Sequence, residues 1–492
     1  MQGEVTAHGG RGPAARIGLW AGVLLFVLVL LLPAPAGLSR EGWVVVALLG
    51  LMATWWVTEA IPIPITSLLP LIVLPVFAVS DLQTAANPYA HRVNVLLLGG
   101  FILARAVERW GLHERLSLLV VLRFGTSPRG LSLGFLVASA LLSGWISNAA
   151  TTLMLLPVAL SVAAALGARR GAGDGLAVLL CLSVAFGASI GGLATPIGTP
   201  TNLIVIGALE GAGDTRLSFA RWMMVGVPAV AVLLPAAWLV LTRMAGAGAA
   251  PLSGDPRAVL RERLIALGAW TRPERRTLAV FAAVAFVWVF RRAFITDITV
   301  FGAQPFAGLT DHVVAVMGAV ALFLIPSGSV REPGTRLLDW EHASRIPWDV
   351  LLLFGGGLSL ALAIQSTGLG AWLAGEMAGL AALPRMWLVL CLVVFVIFAT
   401  ELTSNSATAA ALMPVIIAVA AATQTDAAVL AIPVALAASC AFMFPMATAP
   451  NAIAYGSGEI SIARMARIGV VLNGVAIILI TALASLLTPL VL

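Results

Sequence analysis

Two polar stretches interrupt otherwise apolar sequence: SGWISNAATTLMLLPV at residues 143–158 and TELTSNSATAAALMPV at 400–415. Each is followed by a Gly/Thr/Pro-rich stretch that ends in Asn, GGLATPIGTPTNLI at 191–204 and PMATAPNAIA at 445–454. Ser, Thr and Asn bring hydroxyl and amide oxygens, and a helix broken at Gly or Pro also exposes its backbone groups. The N-terminus of a half-helix presents N–H groups and a positive dipole end, which favour an anion. Carbonyl, hydroxyl and amide oxygens can replace the water around a small hard cation. No Lys or Arg lies in any of the four stretches. An anion bound there is held by dipoles, amides, hydroxyls and co-bound cations.

The elements that must position these groups are membrane helices. Of 492 residues, 60% are hydrophobic and 10% charged, with a mean hydropathy of +1.04. Soluble proteins carry about 25% charged residues, so this chain lacks the polar coat a water-soluble fold needs. Long apolar runs also exclude a disordered chain, a disulfide scaffold and a membrane β-barrel. Spans are expected at 17–36, 42–61, 64–80, 93–108, 176–208, 222–242, 278–296, 312–327, 348–366, 428–458 and 465–490. An amphipathic stretch with Arg109, Arg115 and Arg123 follows the fourth. The segment 17–36 resembles a signal peptide but has a poor cleavage site, so it reads as a retained first helix.

Two further segments, 131–166 and 386–422, are too long for one crossing and hold Ser147-Asn148 and Ser404-Asn405 at their midpoints. A polar break at mid-depth is tolerated only inside protein or against a cavity, so both read as re-entrant hairpins. All 28 basic residues are Arg, and they weigh the topology. With hairpins at both places and the N-terminus inside, Arg11, Arg16, Arg169, Arg170 and most others fall on the cytoplasmic side. Arg40, Arg92, Arg216, Arg221, Arg291, Arg292 and Arg385 fall outside. This satisfies the positive-inside rule, explains the net charge of +6 without nucleic acid, and leaves the C-terminus outside. The two halves then carry the same motifs with opposite orientation. Paired, interrupted helices in corresponding halves point to a transporter's midplane site.

With those motifs in view, the chain resembles the divalent-anion/sodium symporter family of di- and tricarboxylate transporters. The resemblance runs from about Ala53 to Thr488. It includes WWVTEAIPIP (55–64), LLGGFILARAVERWGLHERL (97–116), TPIGTPTN (195–202), LLFGGGLSLALAIQSTGL (352–369) and APNAIAYGSGEI (449–460). The resemblance agrees with the fold that the apolar runs and the Arg distribution give, an all-α polytopic membrane protein, an inverted-repeat transporter with about 11 transmembrane helices and two re-entrant hairpins. A scaffold and an elevator-type transport domain, a homodimer, and a bacterial-type plasma membrane are also implied. The expected organisation is a cytoplasmic tail (1–16), a first helix (17–36), repeat 1 (42–245), a basic cytoplasmic linker (246–277) and repeat 2 (278–492). In repeat 1, scaffold helices (42–124) precede the hairpin, the broken helix 176–208 and the helix 222–242. In repeat 2, scaffold helices (278–366) precede the second hairpin, the broken helix 428–458 and the helix 465–490.

The resemblance also implies sodium as coupling ion and a small dicarboxylate such as succinate, malate or fumarate as substrate. One sodium site would use Ser143, Ser147, Asn148 and Gly198, the other Thr400, Thr403, Asn405 and Ala447. Substrate carboxylates would meet Asn148, Ala149 and Thr199 from one half and Asn405, Ser406 and Thr448 from the other. Ala149 stands where the family typically has Thr, so one hydroxyl is missing; a hydrogen bond to a charged group is worth about 1.5–3 kcal/mol. Ala449 and Thr201 also depart from the usual double proline. Sodium-independent exchange, or carriage of citrate, sulfate or another inorganic anion, is the alternative.

Other residues read differently. A single Ser-Asn pair in a helix commonly reflects helix packing; two copies at equivalent places favour a site. Glu401, an intramembrane carboxylate, is either functional or a structural partner for an Arg or a helix end. Glu59 fits a helix-end turn before Pro62, and Arg105 with Glu108 a local pair. Cys181, Cys391 and Cys440 read as small packing residues, and the five His share no ligand spacing. No nucleophile–base pattern, HExxH or nucleotide loop is present, against an enzyme or a primary pump. A channel stays open on sequence.

Overall fold

The computed structural model describes residues 13–124, 127–168, 174–213, 217–245, 255–295, 298, 304–306 and 308–491. Every regular element among them is a helix, and one isolated bridge pairs Pro326 with Arg336. Helix starts follow local chemistry: Ser39, Ser127, Ser147, Ser218 and Thr310 each cap a helix by accepting a backbone N–H in the next turn, satisfying donors no helix can satisfy itself. Arg11, Arg169, Arg170, Arg216, residues 1–12 of the tail and residues 246–254 of the linker lie outside the described residues.

Each of the two segments read as hairpins folds as two helices joined by a short turn, Pro128–Ser143 with Asn148–Ala165 and Arg385–Thr400 with Asn405–Ala422. Both broken helices form too. Gly175–Gly191 resumes at Pro200–Gly211, and Ala427–Ala438 resumes at Ala449–Gly456. The first halves of these broken helices are the centre of the molecule: Leu176 to Gly191 and Ala428 to Ala438 are buried without exception. A helix apolar on every side suits such a place. Close approach is built in, since a Cβ at Gly191 would lie 2.3 Å from Ala140 Cα of the first hairpin.

Nine described helices are long and apolar enough to cross a bilayer. Two of them, Asn148–Ala165 and Asn405–Ala422, are second arms of hairpins, and the other seven fall at expected spans. At 1.5 Å per residue these 18-residue arms reach about 27 Å, less than the hydrocarbon core of about 30 Å.

Three expectations need correction. The span at 64–80 is not one helix but Ile63–Thr66 and Pro70–Val76; Pro62, Pro64, Pro70 and Pro75 each lack the N–H that would continue the ladder. Glu59 just before them ends Arg40–Thr58 in left-handed conformation, φ 46°. The helix placed at 278–296 starts earlier, as Arg272–Phe294, because Thr271 and Glu274 form a capping box. The linker is not merely basic connection. Its helix Pro256–Ala266 buries Leu260 against the first hairpin, and Arg115 pairs with Glu274 at 2.7 Å while donating to Gly268 O at 2.9 Å. Arg105 and Glu108 form the expected local pair.

Candidate functional site

At the first hairpin tip, Ser143 Oγ meets Asn148 Oδ1 and also lies 2.7 Å from Ala188 O of the central helix. The second tip repeats the arrangement: Thr400 Oγ1 is 2.7 Å from Asn405 Oδ1 and 3.0 Å from Ala438 O. A hydroxyl has one proton, so each tip sets two acceptors against a single donor. Ser143 and Thr400 are buried and Asn148 and Asn405 half-buried, and surplus oxygens that converge in such a place suit a cation. The first tip adds another oxygen, because a Cβ at Gly192 would lie 2.8 Å from Asn148 Oδ1 and 3.2 Å from Gly198 O. Gly198 is itself hemmed in, its Cβ position being 2.5 Å from Gly192 O, so any side chain there would fill the gap between these carbonyls.

Each break is held open by an Asn from the helix that follows it. Asn202 Nδ2 donates to Gly192 O at 2.9 Å and Thr195 O at 2.8 Å. Asn451 Nδ2 donates to Ala441 O at 3.0 Å and Phe444 O at 3.1 Å. Their Oδ1 atoms are buried without a hydrogen-bond partner, adding an orphan acceptor to each break. The sequence places both residues at the ends of the repeated motifs but does not assign them to the site; their equivalence in the repeat was the available signal.

The breaks are clasped by both repeats. Pro200–Gly211 packs on Asn405–Ala422 and on Ala427–Ala438, while Ala449–Gly456 packs on Gly175–Gly191 and on Asn148–Ala165. Each hairpin tip adjoins its own break, at Ser143–Ala188 and Thr400–Ala438, and Thr201 Oγ1 of the first break lies 2.7 Å from Ser439 Oγ of the second, so the helix N-termini at Asn148, Pro200, Asn405 and Ala449 border one region. Positive dipole ends and carbonyl ends together can hold an anion and cations.

The sequence-derived residues do not all take part equally. Ser143, Asn148 and Gly198 converge, and so do Thr400 and Asn405. Ser147 Oγ is engaged as a cap, accepting from Ala150 N at 3.2 Å. Thr403 Oγ1 donates to Ala399 O at 3.0 Å and is paired with Thr408 Oγ1. Ala447 is buried in the short turn Pro445–Ala447. Thr448 caps Ala449–Gly456, accepting from Asn451 N at 3.3 Å. Thr199 occupies the same position before Pro200 but makes no such cap. Ala149 and Ser406, each half-buried, sit in the first turns of the second arms. Glu401 proves to be a helix-break partner: its carboxylate accepts from the N–H groups of Phe442, Met443 and Phe444 and from Asn473 Nδ2. A cavity of about 790 Å³ lies elsewhere, along the apolar face of Asp311–Leu324, and contains none of these groups.

Residues 14–492 match the family profile described as the sodium:sulfate symporter transmembrane region. The chain is 39% identical over 480 residues to the sodium-dependent dicarboxylate transporter SdcS of Staphylococcus saprophyticus, covering 96% of this chain and 91% of that one. To the transporter of the same name in Staphylococcus aureus it is 36% identical over 482 residues, covering 97% and 92%. Among solved structures, it shares the fold of the YdaH transporter of Alcanivorax borkumensis, with a TM-score of 0.61 and 16% identity over 96% of this chain and 98% of that one.

Proposed function

The chain belongs to the divalent-anion/sodium symporter family, the multi-pass membrane carriers that the matched profile describes, and from that premise we propose that it couples C4-dicarboxylate transport to sodium. It is a transporter, not an enzyme. The observation that carries this reading is the doubled surplus of oxygens: in each half, one hydroxyl proton faces an Asn carbonyl and a helix-end carbonyl. Relatives at 36–39% identity over almost the whole chain bear the name sodium-dependent dicarboxylate transporter.

In this reading one sodium ion sits among Ser143, Asn148 and the Gly198 carbonyl, with Ser147 framing the tip. The other sits among Thr400, Asn405 and the Ala447 carbonyl, with Thr403 behind. The dicarboxylate lies between the tips, taking amide, hydroxyl and N–H donors from Asn148, Ala149 and Thr199 on one side and Asn405, Ser406 and Thr448 on the other. Bound sodium supplies the positive charge that no Arg provides, so an anion can bind with its cations and leave with them. The hairpins and broken helices form an elevator-type domain moving against scaffold helices in a homodimer. The repeats are inverted, with the N-terminus cytoplasmic and the C-terminus outside a bacterial plasma membrane.

Purified protein in proteoliposomes tests this directly. Labelled succinate should accumulate when a sodium gradient is imposed and stop when the gradient is collapsed. Uptake that ignores sodium but needs internal dicarboxylate would replace symport with exchange. Movement of citrate or sulfate with succinate untouched would overturn the substrate.

A further inference from the structure

One difference between the two breaks lies at a buried position. In the first, Thr199-Pro200-Thr201-Asn202 enters the second half-helix; in the second, Thr448-Ala449-Pro450-Asn451 does so. Thr201 thus stands where its counterpart is Pro450. Thr201 Oγ1 lies 3.2 Å from Thr199 Oγ1 and 2.7 Å from Ser439 Oγ, and Thr199, Thr201 and Ser439 are 5%, 0% and 1% exposed. Three hydroxyls therefore form an unbroken chain from one repeat to the other. Ser439 directly follows Ala438, whose carbonyl meets Thr400 Oγ1 at the second hairpin tip. The chain runs from a residue facing the anion to the edge of the second cation cage.

We propose that Thr201 and Ser439 are positioning residues that fix the direction of the Thr199 hydroxyl and so tie anion binding in the first half to the second break. The argument is one of proton count. Each hydroxyl has a single proton. If Thr199 gives its proton to a carboxylate, its oxygen is free to accept from Thr201, and Thr201 can then accept from Ser439. The three protons line up toward the anion, and a chain so oriented strengthens its terminal bond. A Pro in place of Thr201 ends the chain, and Pro450 shows that the backbone here accepts one. In the second break Thr448 is instead oriented by its own cap, accepting from Asn451 N. Each half thus orients its Thr by a different device.

This inference rests on the dicarboxylate reading above, so the first measurement is wild-type succinate uptake under a sodium gradient; its absence would sink that reading before this one is reached. With uptake established, Thr201→Val and Thr201→Pro should each raise the succinate KM about three- to tenfold while maximal rate changes less than twofold. Thr201→Ser, which keeps the hydroxyl, should restore the wild-type KM. In a Thr199→Val background, Thr201→Val should add little, because the end of the chain is already gone. If Thr201→Val or Thr201→Pro yields no folded protein, Ser439→Ala carries the same expectation from the far end. An unchanged KM in the folded variants, a loss confined to maximal rate, or full additivity with Thr199→Val would overturn the proposal.

Discussion

The two half-sites share a backbone plan and differ in the chemistry that holds it. In the first, the break spans residues 192–199, and Thr195 Oγ1 donates to Gly144 O of the hairpin. In the second, the break spans 439–448, and the residue matching Gly144 is Glu401. The longer break leaves the N–H groups of Phe442, Met443 and Phe444 without a helical acceptor, and the Glu401 carboxylate takes all three, at 2.7 to 3.1 Å. Asn473, from the helix Ile462–Val491, takes part as well, at 2.7 Å. A short break closes with a hydroxyl; a longer one needs a carboxylate. What the halves have in common is the Asn–hydroxyl pair at each tip and the Asn clamp of each break. That common part is the one the proposed sodium and anion sites use.

The largest effect should therefore be the same on both sides. Asn148→Ala and Asn405→Ala should each lower sodium-driven uptake by a factor of about 100 or more, since in the proposed site each Asn amide serves both as cation acceptor and as anion donor. Protein yield and assembly should hold. Near-normal uptake in either variant would break the equivalence of the two tips.

Next in size, and confined to one side, is the carboxylate. Glu401→Ala strands the buried N–H of Phe442, the half-buried N–H groups of Met443 and Phe444 and the Asn473 amide, at about 1–3 kcal/mol for a buried group left unpaired, so a drop in Tm of several degrees in detergent is the expected result. Gly144→Ala, the matching change, should cost under about 1 kcal/mol, because the new Cβ makes only ordinary contacts, at 3.5 Å to Gly191 O and 3.7 Å to Ala140 O and Ala194 Cβ. Equal shifts for the two variants would erase the difference between the breaks.

Smaller again is Thr195→Val, which removes one neutral donor from the first break, worth about 1 kcal/mol. The Tm should fall slightly and the sodium dependence should hold. A collapse comparable to that of Glu401→Ala would mean that the first break is as dependent on its tie as the second.

How much of this the sequence reveals follows from where each signal lies. The hairpins and broken helices were legible because Ser147-Asn148 and Ser404-Asn405 sit in the middle of runs too long to be one span, and the motif occurs twice. The segment 64–80 was misread because its apolar run hides three prolines, Pro64, Pro70 and Pro75, each without the N–H a continuous helix needs. The start of Arg272–Phe294 was missed because Thr271 and Glu274 signal a cap just before the apolar stretch on which the span was placed. Glu401 could be flagged as a buried acid but not assigned, since its partners are backbone N–H groups 41 to 43 residues away, which carry no residue-type signal. The Thr199–Thr201–Ser439 chain was equally hidden, because Ser439 is 238 residues from Thr201.

The last contrast lies in the turns that face the anion in the proposed site, Ala149 against Ser406. Both occupy the first turn of a hairpin's second arm and both are half-buried, so the first half has one hydroxyl fewer to offer a carboxylate. Ala149→Thr should supply it and lower the succinate KM, by up to about tenfold if 1.4 kcal/mol is gained. Ser406→Ala should do the reverse, making the second half resemble the first. The opposing effect is crowding: an added methyl and hydroxyl in a closely packed tip can cost about 1–3 kcal/mol. Partial exposure at 149 argues that crowding is the weaker term, and Ala149→Ser, smaller by a methyl, separates the two. If Ser tightens binding and Thr does not, space is limiting; if neither lowers the KM for any dicarboxylate while Ser406→Ala raises it, the halves are unequal by design and the first holds its carboxylate without a hydroxyl at this position.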